Sequence, residues 1–305
     1  MNNNLTKKYI TLSSVIAVLI IILAAVSFFK NKGYSLPVLK KINSNISEII
    51  INRGANETIL IKYDGNKWTV NNKYNADNSL IESMTNTLSI IQPIEIVSRG
   101  DDNSSAKYKL SDDEALTVQA FDNSSKEIRN IKFGMKSAFG NSVYSKINND
   151  KNIYLLGNSS SNPKDIFDKT ENDLINKTIS KIRNDDIEKI IIDDNNNTYA
   201  LERDNNNWLK TWNNTEVKAN DIYSSIFDLS NLNADGVITN ENIKENNMLY
   251  KINIQSYSND NISYEVLNNT DSGKYEIIRT NDNNRYYIDE RSFSNFMQSV
   301  NNIIK

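Results

Sequence analysis

The chain has 305 residues, with 35 Lys and Arg set against 38 Asp and Glu, and it contains neither histidine nor cysteine. Those two absences exclude disulfides, thiol chemistry, imidazole general bases, Ser-His-Asp triads and zinc sites built on Cys or His. Six of the basic residues precede the first carboxylate, Glu48, which leaves 29 basic against 38 acidic side chains beyond it, a net −9 that repels nucleic acid and anionic lipid.

Residues 9–29 form an uncharged, mostly apolar run bracketed by Lys7 and Lys8 before it and Lys30 and Lys32 after it. As a helix the run spans roughly 30 Å, the thickness of a bilayer's hydrocarbon core, and predicts a transmembrane anchor. A cleavable leader competes with that reading, because Ala25-Val26-Ser27 supplies a small-x-small site. Flanking lysines occur on both sides, so charge does not fix the orientation; residues 1–8 are placed in the cytoplasm and the large C-terminal part outside. Residues 30–45, with Gly33 and Pro37, read as a stalk.

A first unit, residues 46–183, opens with the β-branched strand from Ile46. A hairpin follows, from Thr58 to Tyr63 and Lys67 to Val70, turning at Asp64-Gly65-Asn66 with Trp68 on its second arm. Asp77 is a good N-cap for a helix carrying Leu80, Met84, Leu88 and Ile91, which Pro93 stops. Further strands are predicted at 94–98, at 116–121 with Leu116, Val118 and Ala120 on one face, and around 128–133, 143–147 and 152–156. Pro163, Ile166, Phe167 and Leu174 suggest a second helix.

Residues 187–305 repeat this order. The strand from Ile187 echoes Ile46, Tyr199 to Arg203 echoes Ile59 to Tyr63, and Trp208 echoes Trp68. Ala219-Asn220 echoes Ala76-Asp77 ahead of a helix with Ile222, Ile226 and Leu229. Tyr250, Ile252, Ile254 and Ser256 match the strand at 116–121. Arg285-Tyr286-Tyr287-Ile288 matches Asn152-Ile153-Tyr154-Leu155, and a closing helix carries Phe293, Met297, Val300 and Ile304. The expected fold is α+β: an N-terminal transmembrane helix, then two related units of antiparallel sheet with covering helices.

Trp68, Ala76-Asp77, Tyr108-Lys109-Leu110, Phe133-Gly134, Tyr144 and Ile153-Tyr154-Leu155, taken in order, resemble a bacterial domain-of-unknown-function family. Its members are membrane-anchored tandem-repeat proteins, often found beside ABC transporters of the gliding-motility type. Members of that family usually have Gly where Lys109 stands, which bears on the backbone of that turn. The resemblance implies no catalytic residues.

Four patterns carry residues of a kind that chemistry uses. Asp193 to Asn197 with Asp204 has oxygen ligands at calcium-loop spacing, but Thr198 replaces the turn glycine and Asp204 the longer Glu. Asp112-Asp113-Glu114 is a carboxylate cluster of the kind glycoside hydrolysis uses in pairs. Ser104 to Lys107 and Ser161 to Lys164 match Ser-x-x-Lys without its companion motifs. Trp68 and Trp208 could stack on sugars if their rings are exposed, or else belong to the core. No catalytic, metal or cofactor residue is assigned. The expected function is non-enzymatic: an anchored, extracytoplasmic binding or assembly protein, accessory to an ABC-type export or surface-assembly system and touching its membrane subunits. The alternatives are an envelope glycan- or peptide-binding module and an Asp/Glu-dependent hydrolase.

Overall fold

The computed structural model describes the backbone of residues 3–30, 36–42, 45–54, 57–100, 103–138, 140–157, 161–238, 247–269, 273–280, 282 and 284–305, with side chains except at 3–12, 28–30, 103–104 and 269. The predicted span lies within one helix, α1 (Asn3–Lys30). Among the described residues no helix is long and apolar enough to cross a membrane. The described side chains of α1 are those of 13–27, fewer than the about 20 that a span requires. The rest of the expected anchor and its flanking lysines lie outside them. Within that window Leu19 to Leu23 are 51–67% exposed, an apolar surface that no other part of the described chain covers.

The first sheet comprises β1 (Ile46–Arg53), β2 (Glu57–Tyr63), β3 (Trp68–Val70) and β4 (Tyr74–Asn75), followed by helix α2 (Asn78–Ile90), β5 (Pro93–Ser98) and the short helix α3 (Asn103–Lys107). It then continues through β6 (Leu116–Asp122), β7 (Glu127–Lys136), β8 (Ser142–Ile147) and β9 (Ile153–Gly157). Two short helices follow, α4 (Pro163–Phe167) and α5 (Glu171–Leu174), where one had been expected. They are split because Asn162 and Thr170 each cap a new helical start. The second sheet comprises β10 (Ile187–Asp193), β11 (Thr198–Asp204), β12 (Asn207–Lys210) and β13 (Thr215–Lys218), then helix α6 (Ala219–Ser230), β14 (Gly236–Val237), β15 (Met248–Ser256), β16 (Ile262–Asn269), β17 (Lys274–Arg279) and β18 (Arg285–Asp289). Helix α7 (Glu290–Ile304) closes the chain.

The strand order is β4-β3-β2-β1-β6-β7-β8-β9-β5 in one sheet and β13-β12-β11-β10-β15-β16-β17-β18-β14 in the other, the same path twice, antiparallel throughout. Even an irregularity repeats: a bulge interrupts the ladder between Ile46 and Glu48, and again between Ile187 and Lys189. One face of each sheet is core. Ile49, Ile51, Ile61 and Val118 lie under Ile81, Met84 and Leu88 of α2, while Ile190, Ile192 and Ile254 lie with Ile222, Ile226 and Leu229 of α6. Each such side chain contributes about 1.5–3 kcal/mol by leaving water. In α7 the buried stripe is Phe296, Ser299, Val300 and Ile303, with Phe293 and Met297 only partly covered, so it is rotated from the predicted one.

Two of the expected alignments shift. The α2 core residues Ile81, Met84 and Leu88 recur 141 residues later as Ile222, Ser225 and Leu229, which pairs the N-cap Asp77 with Lys218 rather than with Asn220. Lys218 makes no side-chain cap, whereas Asp77 accepts from the amides of Ser79 and Leu80. Tyr154 pairs with Tyr286, one residue earlier than expected, because both fall on the buried face of their strands. Each hydroxyl donates to an aspartate four residues back, Tyr154 to Asp150 and Tyr286 to Asp282 at 2.7 Å.

The expected stalk is partly folded. The Gln92 side-chain amide clamps Leu39 through both backbone groups, at 2.9 and 2.8 Å, and the buried Arg129 guanidinium donates to the Lys40 carbonyl at 2.8 Å. Between the sheets, Asp77 N–H donates to the Leu174 carbonyl and Asn176 N–H to that of Asn75. One residue further on, the Lys177 carbonyl accepts from Ala234.

Lys109 adopts φ 55°, the left-handed region that costs a side-chain-bearing residue about 1 kcal/mol. The Tyr108 carbonyl beside it accepts from Met135 N–H, and a Cβ on Gly134 would stand 2.1 Å from that oxygen. Urea denaturation should show Lys109→Gly more stable by about 0.5–1 kcal/mol and Gly134→Ala destabilised by several times that. A stabilised Gly134→Ala would contradict the close approach.

Burial, with the Asp282 carboxylate alongside, pushes the Tyr286 hydroxyl up from 10.0 to about 12. A raised folded-state value means that its stabilisation is complete below pH 10 and fades as pH rises toward 12. In an alkaline unfolding series, Tyr286→Phe should lose about 1 kcal/mol at pH 8 and fall less steeply than wild type above pH 10. Parallel curves would contradict the assignment.

Candidate functional site

A concavity with polar and aromatic walls lies in the first unit, at the end of the sheet where β1 begins. It measures about 900 Å³. Its floor is the hairpin pair Tyr63 and Trp68, directly opposite each other across β2 and β3, with ring centroids 5.4 Å apart and tilted by 50°. Tyr63 is 39% exposed and Trp68 half-buried. The walls are Ile42 of the docked 36–42 segment, Glu48 of β1, Thr85 and Ser89 of α2, and Phe121.

Local sequence explains the geometry. Asp64 accepts from the amides of Asn66 and Lys67, both at 2.9 Å, and Gly65 at φ 98° lets the hairpin turn tightly enough to set Trp68 against Tyr63. Asp122 accepts from the amides of Ser124 and Lys126 and does the same for the turn beyond Phe121. The Lys67 amide holds the Asp64 carboxyl below its usual range, and the Ser124 hydroxyl does so for Asp122; both line the groove as carboxylates. Glu48 stands 3.6 Å from Lys62.

The second unit closes the same place. Arg203 occupies the position of Tyr63, opposite Trp208. Its guanidinium lies 4.4 Å over the Trp208 ring, donates through Nε to the Ile187 carbonyl at 2.9 Å and through Nη2 to that of Asn184, and leaves the indole 1% exposed. Of the two tryptophans considered for stacking, Trp208 is therefore core and Trp68 belongs to the groove. No sequence motif marks this difference, which appears only once the pairing register sets Tyr63 and Arg203 at one position.

The other patterns separate in space. Asp193, at the end of β10, pairs with Thr198 at the start of β11, whereas Asp204 closes β11 opposite Asn207, so the length of β11 separates them, and Asp194 is spent on a turn through the amides of Asn196 and Asn197. Asp112 pairs with Lys132 while Glu114 accepts from Ser111, so the acidic cluster is an exposed turn without facing carboxylates. Lys164 Nζ donates to the Gly134 carbonyl at 2.8 Å, fixing the α4 end of the sheet. The side chain of Ser104 is outside the described residues. Among the described residues no group of three or more Asp and Glu is arranged to hold a metal ion.

A model for a domain of unknown function (DUF4340) matches residues 68–249, from Trp68 on β3 to the early part of β15. No curated protein and no solved structure matches the chain.

Arg203→Ala should uncover Trp208, shifting indole emission to longer wavelength and costing about 1–3 kcal/mol in denaturant unfolding. An unchanged spectrum would show that the guanidinium does not close the second unit.

Proposed function

The chain belongs to the DUF4340 family, and from that premise we propose that it is a non-enzymatic binding protein, held to a bacterial membrane by α1 with both sheets on the extracytoplasmic side. In this reading it serves as an accessory to an ABC-type export or surface-assembly system and meets that system's membrane subunits. The observation that carries the anchoring is the apolar surface of α1: Leu19 to Leu23 face outward, and burying such side chains in lipid contributes what burial in a core contributes elsewhere. The acidic, folded remainder stays out of the bilayer. Binding is supported by the first-unit groove, whose aromatic floor stays open where its duplicate is filled. That groove also favours the reading as a ligand-binding module over a purely structural one.

Topology is directly testable because the chain has no cysteine. Lys67→Cys, on an exposed turn, should react with a membrane-impermeant maleimide on spheroplasts, and the labelled chain should stay in the pellet after alkaline carbonate extraction. Labelling only after lysis would overturn the extracytoplasmic placement, and release by carbonate would overturn the anchor.

A further inference from the structure

The duplication supplies a ligand's outline. In the second unit a guanidinium lies over the Trp208 ring and donates to two backbone carbonyls, that of Ile187 at the start of β10 and that of Asn184 just before it. The first unit preserves two of the receiving parts. Trp68 stands at the position of Trp208, and the bulge that frames the Ile187 carbonyl recurs at Ile46, which lines the groove. What is missing is the arginine, since Tyr63 replaces Arg203 and its ring tilts beside the indole without a cationic head.

Charge points the same way. Of the four ionisable acids and bases that line the groove, Glu48, Asp64 and Asp122 are acidic and only Lys62 is basic. The corresponding entrance in the second unit already holds its own cation. An aromatic face rimmed by carboxylates and carbonyl oxygens attracts a planar cation through the ring quadrupole and hydrogen bonds, and a guanidinium offers five donors in a fixed fork.

We propose that the groove of the first unit binds the guanidinium of an arginine side chain presented by a partner polypeptide, in the place that Arg203 fills within the second unit. This deepens the binding role proposed above and rests on it. A saccharide stacking on Trp68 is the competing occupant, and it needs no cation.

The test uses the full chain in detergent micelles with its three tryptophans labelled at the indole nitrogen, each resonance assigned by Trp→Phe substitution. The probes are N-acetylarginine amide, its uncharged near-isostere N-acetylcitrulline amide, and tri-N-acetylchitotriose. The expected result is a saturable shift of the Trp68 resonance with the arginine probe alone, while Trp208 stays still. Asp64→Asn and Glu48→Gln should each weaken the response about threefold. Tyr63→Arg should abolish it and move the free Trp68 resonance toward that of Trp208, as the new guanidinium fills the site from within. Equal response to the citrulline probe, or response to chitotriose alone, would overturn the cation reading, the latter in favour of a saccharide. A Trp68 resonance unmoved by all three would overturn it as well. None of these outcomes alters the maleimide and carbonate results, so failure of the ligand assignment and failure of the anchored placement are told apart.

Discussion

The two sheets are joined without slack. Asn176 donates to the first unit at Asn75, and its immediate neighbour Lys177 accepts from the second at Ala234. On either side the stitching continues, with Leu174 receiving Asp77 and with Ile179 and Ser180 both donating to Leu232. Ile175, Ile179 and Ile182 are buried in the core between these bonds. A connector paired on both flanks at adjacent residues is no flexible tether, because any swing of one unit against the other must break these backbone hydrogen bonds. The duplicated fold therefore behaves as one piece of scaffold, and what differs between its halves differs in fixed relation.

Some of those differences fall where strands and helices begin or end, others within them. The sheet path, the bulge beside the first residue of the leading strand, the helix seated on the core face and the buried tyrosine bonded to an aspartate four residues back are shared. Divergence falls on the hairpin rim and the helix cap, Tyr63 against Arg203 and Asp77 against Lys218, and also inside: Ser225 stands where Met84 does, and Tyr144 tilts against Tyr108 where the second unit sets the buried Glu276 against Arg285. Packing constrains the shared set, since a core at crystal-like density feels each methylene. Rim positions escape that constraint, and there one copy has kept an opening that the other has sealed.

Much of this layout is legible in the chain because β-branched runs and period-2 alternation report directly on strands with one buried face. Leu116, Val118 and Ala120 are buried as their alternation predicts, and the Trp68 and Trp208 hairpins form where the Asn- and Gly-bearing turns lie. Strand β16 carries a legible alternation, Ile262, Tyr264 and Val266 against Ser263 and Glu265, that the sequence reading left out, whereas in β17 the buried Glu276 breaks the apolar pattern. The slip at Tyr286 arises from two adjacent tyrosines, either of which satisfies the pattern until the burial of one decides it. The groove escaped because nothing local marks it: its floor, walls and Asp122 turn come from segments far apart in sequence, and the contrast that defines it lies 140 residues away at Arg203.

The docked run ahead of β1 changes where the globular part begins. Leu39 is held by Gln92, Lys40 receives the buried Arg129, and Ile42 completes a wall of the groove. Arg129 is 3% exposed, and burial lowers its affinity for a proton, so removing its carbonyl partner would strand a charge in the interior. A soluble fragment cut at the first strand would therefore carry a wound in its core and a groove with one wall gone. The contacts that tie this run to the sheet begin at Leu39, and the reach from Lys30 to Ile42 is at most about 40 Å of chain. Whatever enters the groove therefore does so within that distance of the end of α1, so the site is placed by the helix that precedes it rather than carried at the end of a long tether.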